Sequence, residues 1–346
     1  AATTESVKAG VMNSPASSTN RNAPAPDDKS IAVLPFADLS PAHDQEYLSD
    51  GMAEEILDAL AKVQNLKVAG RTSSFYFKGK NEKLTAIGAA LGVANVLEGS
   101  VRKQGDKVRV TAQLIRTSSG FHLWSESYDG DLKDVFELQE RIARAITDSL
   151  RVVLQNQADR LAPTSTGNAE AHEQYLRGRF LWNQRGYGNL RSAEIAFKAA
   201  LALDSDYADA WAGLAETYGI LPMYVWSDAS VREAVDTYPL ALDAAEHALR
   251  LDPGSSAALS ARALIRNIVQ FDWAGAEADF RAAIAANPRD VTAHQWYGEL
   301  LANERRWSES ADEYKVALAT DPLSAILHFS YGDTLALQRR FDEGDI

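Results

Sequence analysis

The 346-residue chain contains no cysteine, which removes disulfide scaffolds, thiolate zinc sites and thiol catalysis together and leaves the redox compartment open. Its six histidines are isolated. His172-Glu173 opens the pattern of a zinc-protease helix, but Leu176 stands where the second histidine would have to be, so two ligands cannot share one helix face. The chain also lacks a phosphate-binding loop, since the GKNEK run at Gly79 has neither the preceding glycine nor the following hydroxyl, and no G-x-G-x-x-G or G-x-S-x-G motif compensates. No apolar run approaches the roughly 20 residues needed to cross a bilayer. Basic residues are outnumbered, 35 Lys and Arg against 48 Asp and Glu for a net charge of -13. They are dispersed among acids, which argues against direct nucleic-acid binding, where a basic stripe must neutralise phosphates. No catalytic residue, metal or cofactor is therefore expected.

What is present is globular: 46% hydrophobic and 24% charged residues, in a length that suits two cores better than one. The chain begins with Ala and stops at Ile346 inside a helical pattern, so it reads as a piece of a longer protein. Residues 1–28 are rich in Ala, Ser, Thr, Asn and Pro and are expected to form a disordered linker.

Residues 29–156 read as an α/β domain with a mixed sheet in the order β-α-β-α-β-β-β-α. The apolar run SIAVLPF from Ser30 suits a buried strand. Ser49 and Asp50 read as a cap for a helix with Met52, Ile56, Leu57, Leu60 and Val63 on one face. A short strand at Leu66–Ala69 and a helix at Leu84–Leu91, stopped by Gly92, come next. From Val93 the period becomes two, with turns at Gln104–Asp106 and Ser118–Gly120, which predicts an antiparallel meander. The stripe Val135, Leu138, Ile142, Ile146 and Leu150 predicts a closing helix. His43, Asp44, Glu46 and Asp50 cluster in one loop, but their spacing is not that of a calcium loop, so capping and solvation are expected. Arg71–Ser74 reads as a turn that positions Phe75 and Tyr76, with contact to a small ligand as the alternative.

Residues 157–170 read as a polar joint. Beyond it the pattern A-x3-[FY]-x2-A-x4-[PS] recurs, ending at Ser205, Pro253, Pro288 and Pro322, the last intervals being 35 and 34 residues. This spacing predicts helix pairs of the tetratricopeptide kind over 171–346, about four repeats plus a partial fifth, in an all-α solenoid. An insertion containing Pro222 and Pro239 makes one repeat irregular. Trp211, Trp296 and Trp307 fall at packing phases of their helices.

The strings SIAVLPFADLS, EYLSDGMAEEI, RTSSFYFKGK and GFHLWSESYDGDLKDVFELQERIARAI resemble the TolB N-terminal-like (FlgO-related) domain that bacteria place before tetratricopeptide repeats. The resemblance covers about residues 29–155 and runs on into the repeats. It implies a setting behind a cyclase or winged-helix domain, with a membrane segment upstream. A periplasmic or membrane-tethered location is implied in turn, a cytoplasmic one being the alternative.

In such a solenoid the first helix of each pair lines a concave groove. Projecting the repeat phase puts Arg179, Trp182, Asn183, Glu216, Asn267, Gln295, Glu299 and Asn303 inside it. These residues are expected to hold a protein or peptide partner, with a stacking contact at Trp182. The alternative function is a small-ligand sensor that regulates an absent adenylate cyclase or winged-helix regulator domain.

Overall fold

The computed structural model describes residues 26–63, 65–132, 135–150, 166–225 and 229–338. Most of the expected linker and joint, and the end of the chain, lie outside these residues. Among the described residues no helix is long and apolar enough to cross a membrane.

The chain opens with β1 (Ser30–Val33), β2 (Ala37–Asp38), α1 (Glu46–Ala61), β3 (Lys67–Val68), α2 (Arg71–Phe75) and α3 (Leu84–Leu91). β4 (Asn95–Gln104), β5 (Lys107–Arg116), β6 (His122–Asp131) and α4 (Val135–Ser149) complete the first domain. The sheet runs β3-β1-β4-β5-β6, with β2 added against β4. β1 is parallel to both β3 and β4, and the β4-β5-β6 meander is antiparallel. The mixed sheet and its order follow the alternation read from the sequence. β2 and α2 are additions to it, too short to carry a periodic signal.

Helices α1 and α4 bury one face of the sheet, where Met52, Ile56 and Leu60 meet Leu97, Val110, Leu114, Ile142 and Ile146. α3 covers the other face only near β3, β1 and the start of β4, through Ile87, Leu91 and Val96. Gly92 closes α3 in the left-handed region, at φ 65°, where a glycine pays no side-chain penalty.

α1 starts a turn earlier than its sequence signal suggests. Its start is fixed from the end of β2: the Asp38 carboxylate accepts from the backbone N–H of Ser40 and of Gln45, the residue just before the helix, each at 2.8 Å. Ser49 and Asp50 consequently lie inside the helix, where Ser49 Oγ donates to the Gln45 carbonyl and Asp50 accepts from Lys78 Nζ at 2.6 Å.

The second half consists of helix hairpins. α5 (Ala169–Gln184) pairs with α6 (Tyr187–Leu203), α7 (Ala208–Ile220) with α8 (Ala229–Leu251), α9 (Ser256–Ile265) with α10 (Trp273–Ala286), and α11 (Val291–Asn303) with α12 (Trp307–Thr320). α13 (Ala325–Leu337) follows. The starts are set by side-chain caps: Asn168, Ser255, Asp272 and Asp290 each accept from a backbone N–H in the first turn of their helix. Among the described residues the expected insertion forms a 3-10 turn at Leu221–Tyr224 and the start of a 23-residue α8 that carries Pro239 inside it. Between α9 and α10 the chain makes a π-turn over Arg266–Gln270.

Small residues and aromatic plugs explain why these helices pack closely. A β-carbon on Gly178 of α5 or on Gly213 of α7 would sit 2.6 Å from the ring of Phe197, so the one phenyl group fills the space left by two glycines on neighbouring helices. Tyr314 occupies the same position over Gly298, 3.0 Å from a would-be β-carbon. Helices α5, α7, α9, α11 and α13 touch one another in succession and form the inner layer of the array.

One contact in this array is pH-sensitive. His294 in α11 is buried, with Nδ1 2.6 Å from Glu313 of α12 and Nε2 3.1 Å from the Pro288 carbonyl. Burial works against its charge, but the Glu313 carboxylate prevails and raises the imidazole pKa above its ordinary value. A group raised in the folded state stabilises fully below its unfolded pKa of about 6.5 and loses that contribution as pH rises through the folded value. The stability difference between the wild type and His294→Gln should therefore be larger at pH 6 than at pH 9. Urea titrations at the two pH values measure it, and an equal difference would contradict the assignment.

Candidate functional site

Helix α1 belongs to the first domain, but it lies along the inner layer of the second. Sixteen residues give it a length of about 24 Å, and it is buried on almost every side: Tyr47 to Glu54, Ile56, Leu57 and Leu60 are all covered. A glycine permits the approach, for a β-carbon on Gly51 would come within 2.8 Å of Leu176 in α5. Leu176 accordingly joins the core of the α/β domain.

The polar contacts run along the helix. At its start, the Tyr47 hydroxyl hydrogen-bonds to Glu173 of α5, and Lys103 from the tip of β4 reaches the same carboxylate at 2.7 Å. In the middle, Glu54 accepts from Arg71 Nε at 2.7 Å, from Asn183 Nδ2 at 3.0 Å and from Arg179 Nη2 at 3.3 Å. The other arm of Arg179 donates to Glu216 of α7 at 2.7 Å. At its end, the Ala61 carbonyl accepts from Arg289, which precedes α11.

A second patch closes the far side. The backbone N–H of Gly70 donates to the Thr320 carbonyl at 2.6 Å, that of Ser73 to the Asp321 carboxylate at 2.5 Å, and that of Leu323 to Ser73 Oγ at 2.7 Å. Asp321 thus caps α2 from the turn between α12 and α13, and Gly70 leaves no room for a β-carbon beside it. The Arg71–Ser74 segment is a helical turn spent on this contact.

Electrostatics sort the two carboxylates that share Arg179. Burial pushes both upward. For Glu54 the guanidiniums of Arg71 and Arg179 overcome it and hold the carboxyl below its usual range, whereas Glu216, with a weaker set of partners, is left above it. Arg179 itself stays firmly protonated: burial opposes its charge, but Glu216 and Glu54 outweigh that.

The groove residues expected from repeat phase fall into two groups. Arg179 and Asn183 donate to Glu54, and Glu216 accepts from the other arm of Arg179. Trp182 is buried, with the Arg185 guanidinium 3.6 Å from its ring centroid and that of Arg179 at 4.8 Å. Further along, Gln295 and Ser330 donate to Glu299 at 3.1 Å each. Asn267 is buried in the π-turn and Asn303 is exposed. The structure sets Arg179, Trp182, Asn183 and Glu216 close together, and the sequence reading did not name Glu54, Arg71, Tyr47 and Glu173 beside them. The available signal was Gly51 in a helix interior, a position glycine seldom holds unless another chain segment passes close by.

Among the described residues no group of three or more His, Cys, Asp or Glu could hold a metal ion. The loop cluster His43, Asp44, Glu46 and Asp50 is engaged otherwise, with Lys78 Nζ 2.6 Å from both Glu46 and Asp50.

The family model of the HilA/YgeH-like transcriptional regulator, second domain, matches residues 27–145, which is the α/β domain. The TolB N-terminal-like identity stands beside it as an expectation from the sequence. A protein of Rhizobium meliloti (strain 1021) named "Putative adenylate cyclase 3" is 33% identical over 250 residues, 64% of this chain and 43% of that protein. The chain spans less than half the length of this relative. Among solved structures, TTC0263, a thermophilic TPR protein of Thermus thermophilus, has 18% identity and a TM-score of 0.40 over 59% of this chain and 95% of its own. YrrB, a TPR protein with an unusual peptide-binding site, has 22% identity and a TM-score of 0.32 over 51% of this chain and 81% of its own. The description of the second half as a tetratricopeptide-like array rests on its own hairpins and glycine-aromatic packing.

Proposed function

We propose that this chain is a non-catalytic regulatory module of a larger bacterial signalling protein, in which the helical array holds the α/β domain as an internal occupant of its concave face. The observation that carries this reading is Glu54, a buried carboxylate of one domain held by Arg179 and Asn183 of the other. Such a contact is a two-state element: closed, it ties both domains together; open, it frees the groove for a protein partner and releases the α/β domain. The match to a transcriptional regulator's second domain and the likeness to a cyclase-named protein support a place beside an output domain. A pure scaffold, open to peptides along its whole groove, is the second reading; Asn303, exposed at the end of α11, favours it locally.

The absence of native cysteine allows a direct test, with spin labels on cysteines introduced at the exposed positions Glu82 and Asp206. The wild type should give one narrow distance distribution, and Glu54→Arg, which sets like charges against each other, a broad one. In the full-length product the same substitution should change output, read as cyclic nucleotide or reporter transcription, about tenfold, within the usual range of coupling between sites. A broad distribution already in the wild type would overturn the proposal.

A further inference from the structure

The chain leaves β1 at Val33 and turns across the sheet through Leu34, Pro35 and Phe36 to β2. β1 lies between two parallel neighbours, β3 and β4. The helix after β1 packs on one face of the sheet, and the helix that leads from β3 to β4 packs on the other. The carboxyl end of β1 is therefore a topological switch point, the place where diverging connections leave a crevice in α/β sheets. A cavity of about 590 Å³ opens there, a size that takes a small metabolite.

Its walls differ in character. Leu34, Phe36 and Phe77 supply apolar surface. The floor is the part of the sheet that α3 does not reach, and it is polar: Glu98 lies directly opposite Gln113 in the β4-β5 register, and Ser100 opposite Thr111. Thr111 is bonded to Ser127 at 2.9 Å. Glu98 and Gln113 are half-buried and have no hydrogen-bond or ionic partner among the described residues.

Charge then decides what fits. Lys78, the cation at the rim, is held by Glu46 and Asp50. Asp38 is occupied with the backbone N–H groups of Ser40 and Gln45. His43 Nδ1 faces the Asp38 carbonyl at 3.1 Å. What remains is the Glu98 carboxylate, partly desolvated and without a counter-ion, next to an amide oxygen that can accept a second hydrogen bond. An anion would meet this charge unshielded, and a neutral body would leave it unpaired at a cost.

We propose that this cavity binds a small molecule bearing a protonated primary amine, which donates to the carboxylate of Glu98 and the side-chain oxygen of Gln113 while its carbon skeleton rests on Phe36 and Phe77. The site has a route to the domain contact, because Lys78 on its rim also lies 5.7 Å from the ring centroid of Phe180 in α5. That regulatory consequence rests on the function proposed above; the binding itself does not.

The test is calorimetric titration of the whole chain with 1,4-diaminobutane, ethanolamine and lysine, set against 1,4-butanediol and succinate as neutral and anionic controls. At least one amine should bind, the controls should not, and Glu98→Gln should weaken the amine about tenfold or more, as loss of a charge-assisted hydrogen bond requires. Glu98→Gln keeps the size of the side chain, and its thermal midpoint without ligand checks that it is folded. No binding by any amine, equal binding by a control, or unchanged affinity in Glu98→Gln would overturn the inference. The spin-label distances report on the domain contact alone, so the two ideas fail separately.

Discussion

Glu54→Gln should destabilise the chain by about 3 kcal/mol, the lower end of the loss when one partner of a buried ion pair is removed. The residue is 7% exposed, and its carboxylate accepts from three donors, two of them guanidiniums. Glutamine has nearly the same shape, so packing is kept and the change isolates the charge. Arg179 retains Glu216, but Arg71 has no other carboxylate among its bonded partners, and its desolvation is no longer offset. The pH dependence has a definite sign. Glu54 is depressed below the ordinary carboxylate value, burial being outweighed by Arg71 and Arg179, so its contribution is present above pH 4.5 and fades as pH falls through the lower folded value. Urea unfolding at pH 7 should separate the two proteins, and below pH 4 their curves should draw together. Hydrogen exchange should rise in α1 and α5 together, because the bond that is lost joins them. Equal midpoints and equal exchange would show that Glu54 only decorates the interface.

The second large effect is expected inside the array. Phe197→Ala should cost about 4 kcal/mol, the usual loss for a phenylalanine truncated in a core. Its ring is fully buried and lies over Gly178 and Gly213. Neither glycine has a side chain that could move into the vacancy, so the cavity persists, and α5, α6 and α7 lose their common plug. Refilling from the opposite side gives a control. Gly213→Ala alone sets a methyl group 2.6 Å from the ring, an overpacking strain of about 1–3 kcal/mol that alanine's better helix propensity reduces by about 1 kcal/mol. Combined with Phe197→Leu it should recover stability relative to the sum of the single changes, a coupling that thermal unfolding of the four proteins measures. A Phe197→Ala protein within about 1 kcal/mol of the wild type would refute the plug, since core truncations of this kind cost several times that.

α5 carries both predictions. One of its faces holds Gly178 against Phe197, another presents Arg179 and Asn183 to Glu54. Damage to the plug should therefore loosen the domain contact too, while damage at Glu54 leaves the hairpin of α5 and α6 intact.

Much of this was legible in the sequence for local reasons. Gly92 closes α3 because only a residue without a β-carbon takes its backbone angles at no cost. Val135, Leu138, Ile142 and Ile146 share the buried face of α4 because a helix repeats every 3.6 residues. The recurring alanines, Ala193, Ala241, Ala276 and Ala311 among them, are buried at helix contacts because only small side chains let two helices come so close. Where the signal was short it misled: Ser49 and Asp50 look like a cap, yet the helix begins at Glu46, and the residue before it, Gln45, is held by Asp38, earlier in the chain but brought back in space by the loop.

The groove shows where such reading ends. Repeat phase is a property of each helix and placed Arg179, Asn183 and Glu216 on the inner surface. That Arg179 and Asn183 meet Glu54 depends on α1 lying against α5 more than a hundred residues away in sequence, and no period records such a distance. Sequence alone therefore determined which segments become strands and helices and which faces those helices hide, because these are set by neighbours within a few turns. Only the tertiary structure decided which carboxylate meets Arg179 and Asn183 and where, among the described residues, Glu98 has no counter-ion, because burial and charge compensation are summed over all segments that meet at one point.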